Sequence, residues 1–277
     1  MHRPQPGARF LGRLLRARRE ALGLTRGQVL RRSRRGPHRP LAPTVLRDLE
    51  TGDRLPTLSR LPALARALGF HPAELLEWVL LAPVLEEAAG RVAGPAGRGG
   101  PLLRAAAGYL AAGRPAEAAV LALRAWPAPG KAGSAPPVLA RAVLALGSPL
   151  LALLLAGRSR DPGAVLDVQA EALERLGLAG AARRIADGGD PRDRRMAAVR
   201  ARLLEAADPL RAAGAWAELL DRAREAGDAR GAAEAAAGVA RCLDRAGRPR
   251  EAARFLREGE RWRPGGPGSL APPGAGD

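Results

Sequence analysis

Cysteine is almost missing from this chain, and the single Cys242 permits neither an internal disulfide nor a thiolate metal cluster. It is read as a packing residue in a helix. Aromatic residues make up only 3% of the sequence, and no run of Val, Ile, Thr or Tyr alternates with polar residues at period two, which argues against a sheet. Lysine occurs once, at Lys131. The three histidines, His2, His38 and His71, fall at the start of the chain, in a Gly/Pro-rich segment and at a helix cap, without ligand spacing, so no metal site is expected. The sequence contains no G-x-x-x-x-G-K-[ST], G-x-S-x-G or H-E-x-x-H. No catalytic residue and no cofactor is therefore assigned, and an enzyme is not expected. Acidic residues of the second half, such as Glu171, Glu174 and Glu218, are read as solvated positions pairing with arginine at i,i+4.

Long apolar runs are lacking too. The N-terminus, MHRPQPGARF, has no apolar core of the signal-peptide kind, and a cytoplasmic protein is expected. The uncharged stretch Ala142–Gly157 is broken by Gly147, Ser148 and Pro149 and is shorter than the roughly twenty residues a bilayer needs. It is read as buried helix, with no membrane partner.

What the chain has is alanine, leucine and arginine over 277 residues, enough for two ordinary domains. An all-α protein is expected. The net charge of +17 is unevenly spread: residues 1–60 hold 15 Arg against Glu20, Asp48, Glu50 and Asp53, so +11 sits in about a fifth of the chain. Surface arginine at that density suits a polyanion such as double-stranded DNA, because it displaces condensed counterions and steers encounter.

Apolar spacing over Phe10–Leu22, with Leu11, Leu14, Leu15, Ala21 and Leu22 on one face, predicts a first helix stopped by Gly23. Thr25 and Gln28 have capping-box spacing for a short second helix through Arg32. The segment SRRGPHRPLAP cannot continue a helix, and Pro43 opens a third, Thr44–Glu50, closed by Gly52. A fourth, capped by Thr57 or Ser59, reaches Leu68, with Pro62 tolerable only in its first turn. A fifth runs from His71-Pro72 to about Leu81. The stretch AGPAGRGGP reads as a linker. Beyond it, Gly113, Gly147, Gly177, Gly214 and Gly247 suggest turns between helices at a mean period near 33, the signature of stacked α-hairpins. The expected organisation is residues 1–92 as an N-terminal five-helix domain, 93–101 as linker, 102–264 as α-hairpin repeats and 265–277 as a disordered tail.

Residues 11–76, LGRLLRARREALGLTRGQVLRRS followed by LAPTVLRDLETGDRLPTLSRLPALARALGFHPAELL, resemble the Xre/Cro-type helix-turn-helix regulators. The GLT start of the second helix, the L-x-x-L-E-x-G end of the third, the following Pro and the LARALG–HPAELL finish coincide in order. The resemblance implies that the third helix enters the major groove and the start of the second meets phosphate. Base-reading positions would be Pro43, Thr44, Val45, Arg47 and Asp48, with Arg47 able to engage guanine O6 and N7 together. Phosphate contacts would come from Thr25, Arg26, Gln28 and Arg54. Arg19 and Glu50 match a structural ion pair joining the first and third helices. The turn before the third helix is about six residues longer than usual for the family, and it adds Arg34, Arg35 and Arg39 as candidate phosphate contacts.

The hairpins at Gly113–Arg114–Pro115 with Ala118, and at Gly247–Arg248–Pro249 with Ala252 and Pro264, resemble tetratricopeptide repeats. That resemblance implies dimerisation through the repeats and a peptide or protein effector on them. The function expected is a homodimeric, sequence-specific transcriptional regulator. The alternative is a repeat scaffold or antitoxin-like adaptor with a vestigial helix-turn-helix domain.

Overall fold

The computed structural model describes residues 5–92, 100–126, 137–159, 161–190 and 192–262. All regular structure among them is helical, and the chain divides into two compact units, residues 1–172 and 173–277. His2, Lys131, Pro264 and the expected tail lie outside the described residues.

The first unit begins with α1 (Ala8–Ala21), α2 (Arg26–Ser33), α3 (Pro43–Thr51), a 3-10 turn at Leu58–Arg60, α4 (Leu61–Leu68) and α5 (Pro72–Arg91). Ala8, Leu11, Leu15 and Arg18 follow one another at helical spacing, so α1 turns a single stripe inward. Gly23 adopts φ +65° and ends the approach to α2. Neither Thr57 nor Ser59 caps α4; the 3-10 turn intervenes, and Pro62 falls in the first helical turn where its missing N–H is harmless.

Helix α5 does not stop near Leu81 but continues ten residues further, through Pro83. An interior proline costs about 3 kcal/mol. Leu81, Ala82, Leu85 and Ala88 are all buried around it, and a buried leucine returns about 1.5–3 kcal/mol each. Packing therefore outweighs the break.

Two hairpins follow: α6 (Gly100–Ala111) with α7 (Pro115–Ala125), turning at Gly113, and α8 (Pro137–Ala145) with α9 (Pro149–Ala156), turning at Gly147. Most of the expected linker, residues 93–99, lies outside the described residues, while Gly100 and Pro101 already belong to α6. One apolar core runs from Phe10 to Ala172, so the division of the chain falls at Ala172/Leu173 and not at the glycine-rich stretch. Polar contacts add to it: the carboxylate of Glu74 on α5 is gripped by Arg158 just beyond α9, and Ser148 Oγ bonds Glu77. The uncharged stretch Ala142–Gly157 is split between α8 and α9. Among the described residues no single helix is long and apolar enough to cross a membrane; the pair Leu58–Leu68 and Pro72–Arg91 is so only when taken together, bent by 115°.

Helix α10 (Leu166–Arg175) carries the division, and the second unit continues with α11 (Ala179–Gly188), α12 (Arg194–Glu205), α13 (Pro209–Glu225), α14 (Ala229–Arg245) and α15 (Pro249–Arg261). Its turn glycines are Gly177, Gly227 and Gly247. Gly214 is no turn: it lies inside α13, and the turn is made by Gly227 with Asp228, whose carboxylate caps α14 by accepting from Gly231 N at 2.8 Å. The last two turns are thus only 20 residues apart, and the period near 33 is not uniform.

At the centre of this unit the buried Glu205 accepts from Trp216 Nε1 and from Arg241, each at 3.0 Å. Gly238 lies flat against the Trp216 ring, where a Cβ would come within 2.4 Å. Cys242 is fully buried. Burial pushes its thiol up, Glu205 adds to the shift, and Arg241 and Arg245 oppose it.

Candidate nucleic-acid interface

The start of α2 is fixed by the chain itself. Thr25 Oγ1 accepts from Gln28 N at 3.2 Å, and Gln28 Oε1 accepts from Thr25 N at 2.7 Å, the reciprocal box that its sequence spacing suggests. Both side chains are thereby oriented, with the hydroxyl proton of Thr25 and the NH2 of Gln28 left for a phosphate.

Helix α3 turns Val45, Leu46, Leu49 and Glu50 inward. Val45, placed among the base-reading positions by family resemblance, is 5% exposed and belongs to the core. The reason is periodicity: with Leu46 and Leu49 buried, position 45 falls on the same side of a 3.6-residue turn. Pro43, Thr44 and Arg47 are exposed, and Asp48 is half-buried. Asp48 lies between two arginines, with Arg47 Nη2 at 3.4 Å and Arg54 Nη2 at 3.2 Å. The Asp48 carboxylate thus sets the angle of Arg47 from the neighbouring position and ties the chain after α3 back to that helix. Arg54, expected on phosphate, is partly committed to this pair.

The crossing of α1, α2 and α3 is fixed by one carboxylate. Glu50, its side chain 1% exposed, accepts from Arg19 Nε at 2.6 Å and from Arg26 Nε at 2.7 Å. The Arg19–Glu50 pair therefore has a third member, Arg26, which the family resemblance places on phosphate. Arg26 remains half-exposed and keeps its terminal nitrogens outside the bond to Glu50. At the same crossing Gly12 lets the backbones touch: a Cβ there would lie 2.6 Å from the Leu49 carbonyl oxygen.

The enlarged turn, residues 34–42, is anchored at both ends. The buried Ser33 hydroxyl donates to Leu30 O at 2.8 Å and accepts from Leu41 N at 3.2 Å, and Leu41 is itself in the core. Arg66 on α4 donates to the Arg35 carbonyl. The side chains of Arg34, Arg35 and Arg39 are exposed, and so are Arg31 and Arg32 in the last turn of α2. None of these five guanidinium groups has a partner among the described residues. Arg31 and Arg32 were missed as site residues; their helical position beside the turn was the available signal.

Behind the interface, Arg18 closes the end of α4, donating to the carbonyls of Leu68 at 2.9 Å and Gly69 at 2.8 Å while stacking over Phe70. Burial pulls its guanidinium below the ordinary value, Arg158 adding to the shift and Glu74 opposing it. Among the described residues no group of three His, Cys, Asp or Glu side chains could hold a metal ion.

Compared with known families, residues 11–78 match a model described as a helix-turn-helix domain. No curated protein and no solved structure matches the chain. The all-α fold thus carries at its N-terminus a helix-turn-helix domain, the kind of domain that serves DNA-binding regulators.

Proposed function

We propose that this protein is a sequence-specific transcriptional regulator of the Xre type that reads double-stranded DNA with α3. The observation that carries the reading is the outer face of α3, where Thr44 and Arg47 stand exposed, together with five exposed arginines at residues 31–39 that have no partner among the described residues. Arg47 exchanges its long contact with Asp48 for guanine O6 and N7, a bidentate fit. Thr44 offers a hydroxyl to a base or phosphate and a methyl to thymine. Thr25, Arg26, Gln28, Arg34, Arg35 and Arg39 hold the phosphate backbone on either side.

The protein acts in the cytoplasm as a homodimer on a partly palindromic site, and it is not an enzyme. Its tetratricopeptide-like hairpins serve dimerisation and effector binding. A groove of about 500 Å³ between α12 and α13, lined by Leu204 and Leu219 with Arg200, Arg211 and the Glu218–Arg222 pair, is the place offered to a peptide effector. Selection of bound sites from random duplexes tests the reading. A recovered consensus whose preference is relaxed by Arg47→Ala supports it; a pool left without enrichment overturns it in favour of a repeat scaffold. Light scattering that finds only monomer, on and off DNA, removes the dimer.

A further inference from the structure

Helix α15 carries Arg250, Arg254, Arg257 and Arg261 at i, i+4, i+7 and i+11, which places all four on one stripe. All four are exposed, and none has an ion-pair or hydrogen-bond partner among the described residues. Abundance of arginine does not account for this. On the preceding helices arginines are mostly engaged: Arg202 by Glu174, Arg224 by Asp221 and Glu258, Arg241 and Arg245 by Glu205. Of the three acidic residues of α15 itself, Glu251 is turned to Arg248 and Glu258 to Arg224, while Glu260 is exposed about a quarter turn from the stripe and pairs with none of the four arginines.

A solvent-facing end of a helical stack needs a polar surface, which mixed charge provides without repulsion. Four like charges in successive i,i+4 and i,i+3 positions oppose the helix that presents them. The opposite face of α15 is not available for a lipid surface, because Ala252 is buried in the unit's core and Gly259 is buried against α14.

We infer that the α15 stripe is a second DNA-binding surface, one that holds phosphates without reading sequence. It spans eleven helical steps, about 16 Å. A duplex presents one negative charge for about every 1.7 Å of its axis, so such a footprint holds more phosphates than four arginines neutralise. The inference rests on the DNA-binding reading: a chain that takes one polyanion as its ligand presents, on a separate helix, a stripe of partnerless arginines that fits the same polyanion. The duplex, more than an acidic protein, is the favoured partner because it is the ligand proposed above for the same chain.

The experiment uses the full chain and compares wild type with R250Q/R254Q/R257Q/R261Q, with the matching Arg→Lys quadruple variant and with R254Q/R257Q. Affinity for a selected duplex and for a scrambled one is measured by fluorescence anisotropy over a range of salt. Each lost phosphate contact lowers the slope of log K against log salt by about 0.9. The expected result is a slope reduced by about 2–4 in the four-Gln variant and by about half of that in the two-Gln variant. The slope is retained with Lys, and the ratio between the two duplexes is unchanged. Equal slopes for wild type and both Gln variants overturn the inference and leave the stripe to an acidic protein. If wild type itself binds neither duplex, or shows no preference that Arg47→Ala relaxes, the helix-turn-helix reading has failed instead.

Discussion

Arg158 grips Glu74 through both carboxylate oxygens, at 2.6 and 2.8 Å, across 84 positions of sequence. The Glu74 side chain is 1% exposed, and it also accepts from His71 N at the start of α5. One carboxylate thus closes the cap of the last helix of the helix-turn-helix domain and fastens that helix to the end of the second hairpin. Removing the arginine leaves a charge buried without its partner. Arg158→Ala is expected to lower stability by about 2–3 kcal/mol, read as the chemical-denaturation midpoint. The double change Glu74→Gln with Arg158→Met, which leaves no buried charge, is expected to recover more than half of that loss. A single variant as stable as wild type would show that the pair is not what joins the two parts.

Glu50 makes a second such prediction, within the candidate interface. Because Arg19 is largely buried and Arg26 half-exposed, the two partners are unequal. Glu50→Gln is expected to cost about 2–3 kcal/mol by leaving the largely buried Arg19 with only the exposed Glu20, at 3.4 Å, as counter-charge, whereas Arg26→Ala costs under about 1 kcal/mol. Arg26→Ala is also expected to weaken binding to every duplex equally, with a salt slope smaller by about 0.9. Thermal unfolding and the same anisotropy titrations separate the two variants. A larger loss of stability from Arg26→Ala than from Glu50→Gln would refute this ranking.

These nodes mark where the sequence stopped being readable. Local chemistry was legible: the Thr25–Gln28 box, Pro43 opening α3, and the turns at Gly113, Gly147, Gly177 and Gly247 all depend on neighbours within a few residues. Buried charges were not, since Glu74, Glu205 and Arg18 look like surface residues until partners far along the chain arrive. Gly214 and Gly227 sit in similar alanine-rich surroundings, but Trp216, Leu219 and Leu220 bury α13 around the first, while Asp228 caps the helix after the second. Val45 shows the limit of resemblance: motif alignment placed it on DNA, and the apolar period of α3 places it inside. The candidate interface was therefore named mostly by alignment and corrected by packing.

Gly12 tests the closeness of α1 and α3. A methyl group there meets the Leu49 carbonyl oxygen at 2.6 Å and the Glu50 carbonyl oxygen at 3.0 Å, backbone atoms that cannot rotate away. Although alanine is the better helix former, Gly12→Ala is expected to destabilise by about 1–3 kcal/mol. Gly27→Ala in α2, where the nearest atom is Thr25 Oγ1 at 3.9 Å, should instead stabilise by about 0.5–1 kcal/mol. Opposite shifts in unfolding temperature check the pair, and a gain from both would mean that the crossing is looser than it stands here.

Glu117, at the start of α7, gives the pH dependence. Burial works against its ionisation, but its own backbone amide, Arg114 at 3.0 Å and Arg91 beyond it outweigh that and hold the carboxyl below the ordinary range. A carboxylate depressed in the folded state binds its proton less readily there than in the unfolded chain. Its contribution is therefore full at neutral pH, and it drains away as pH falls through the ordinary carboxylate range to the lower folded value. Glu117→Gln removes that dependence. Unfolding temperature measured from pH 7 down to pH 3 should fall more steeply for wild type than for the variant, the two curves converging at the acidic end. Parallel curves throughout would show that Arg114 and Arg91 do not stabilise the ionised form.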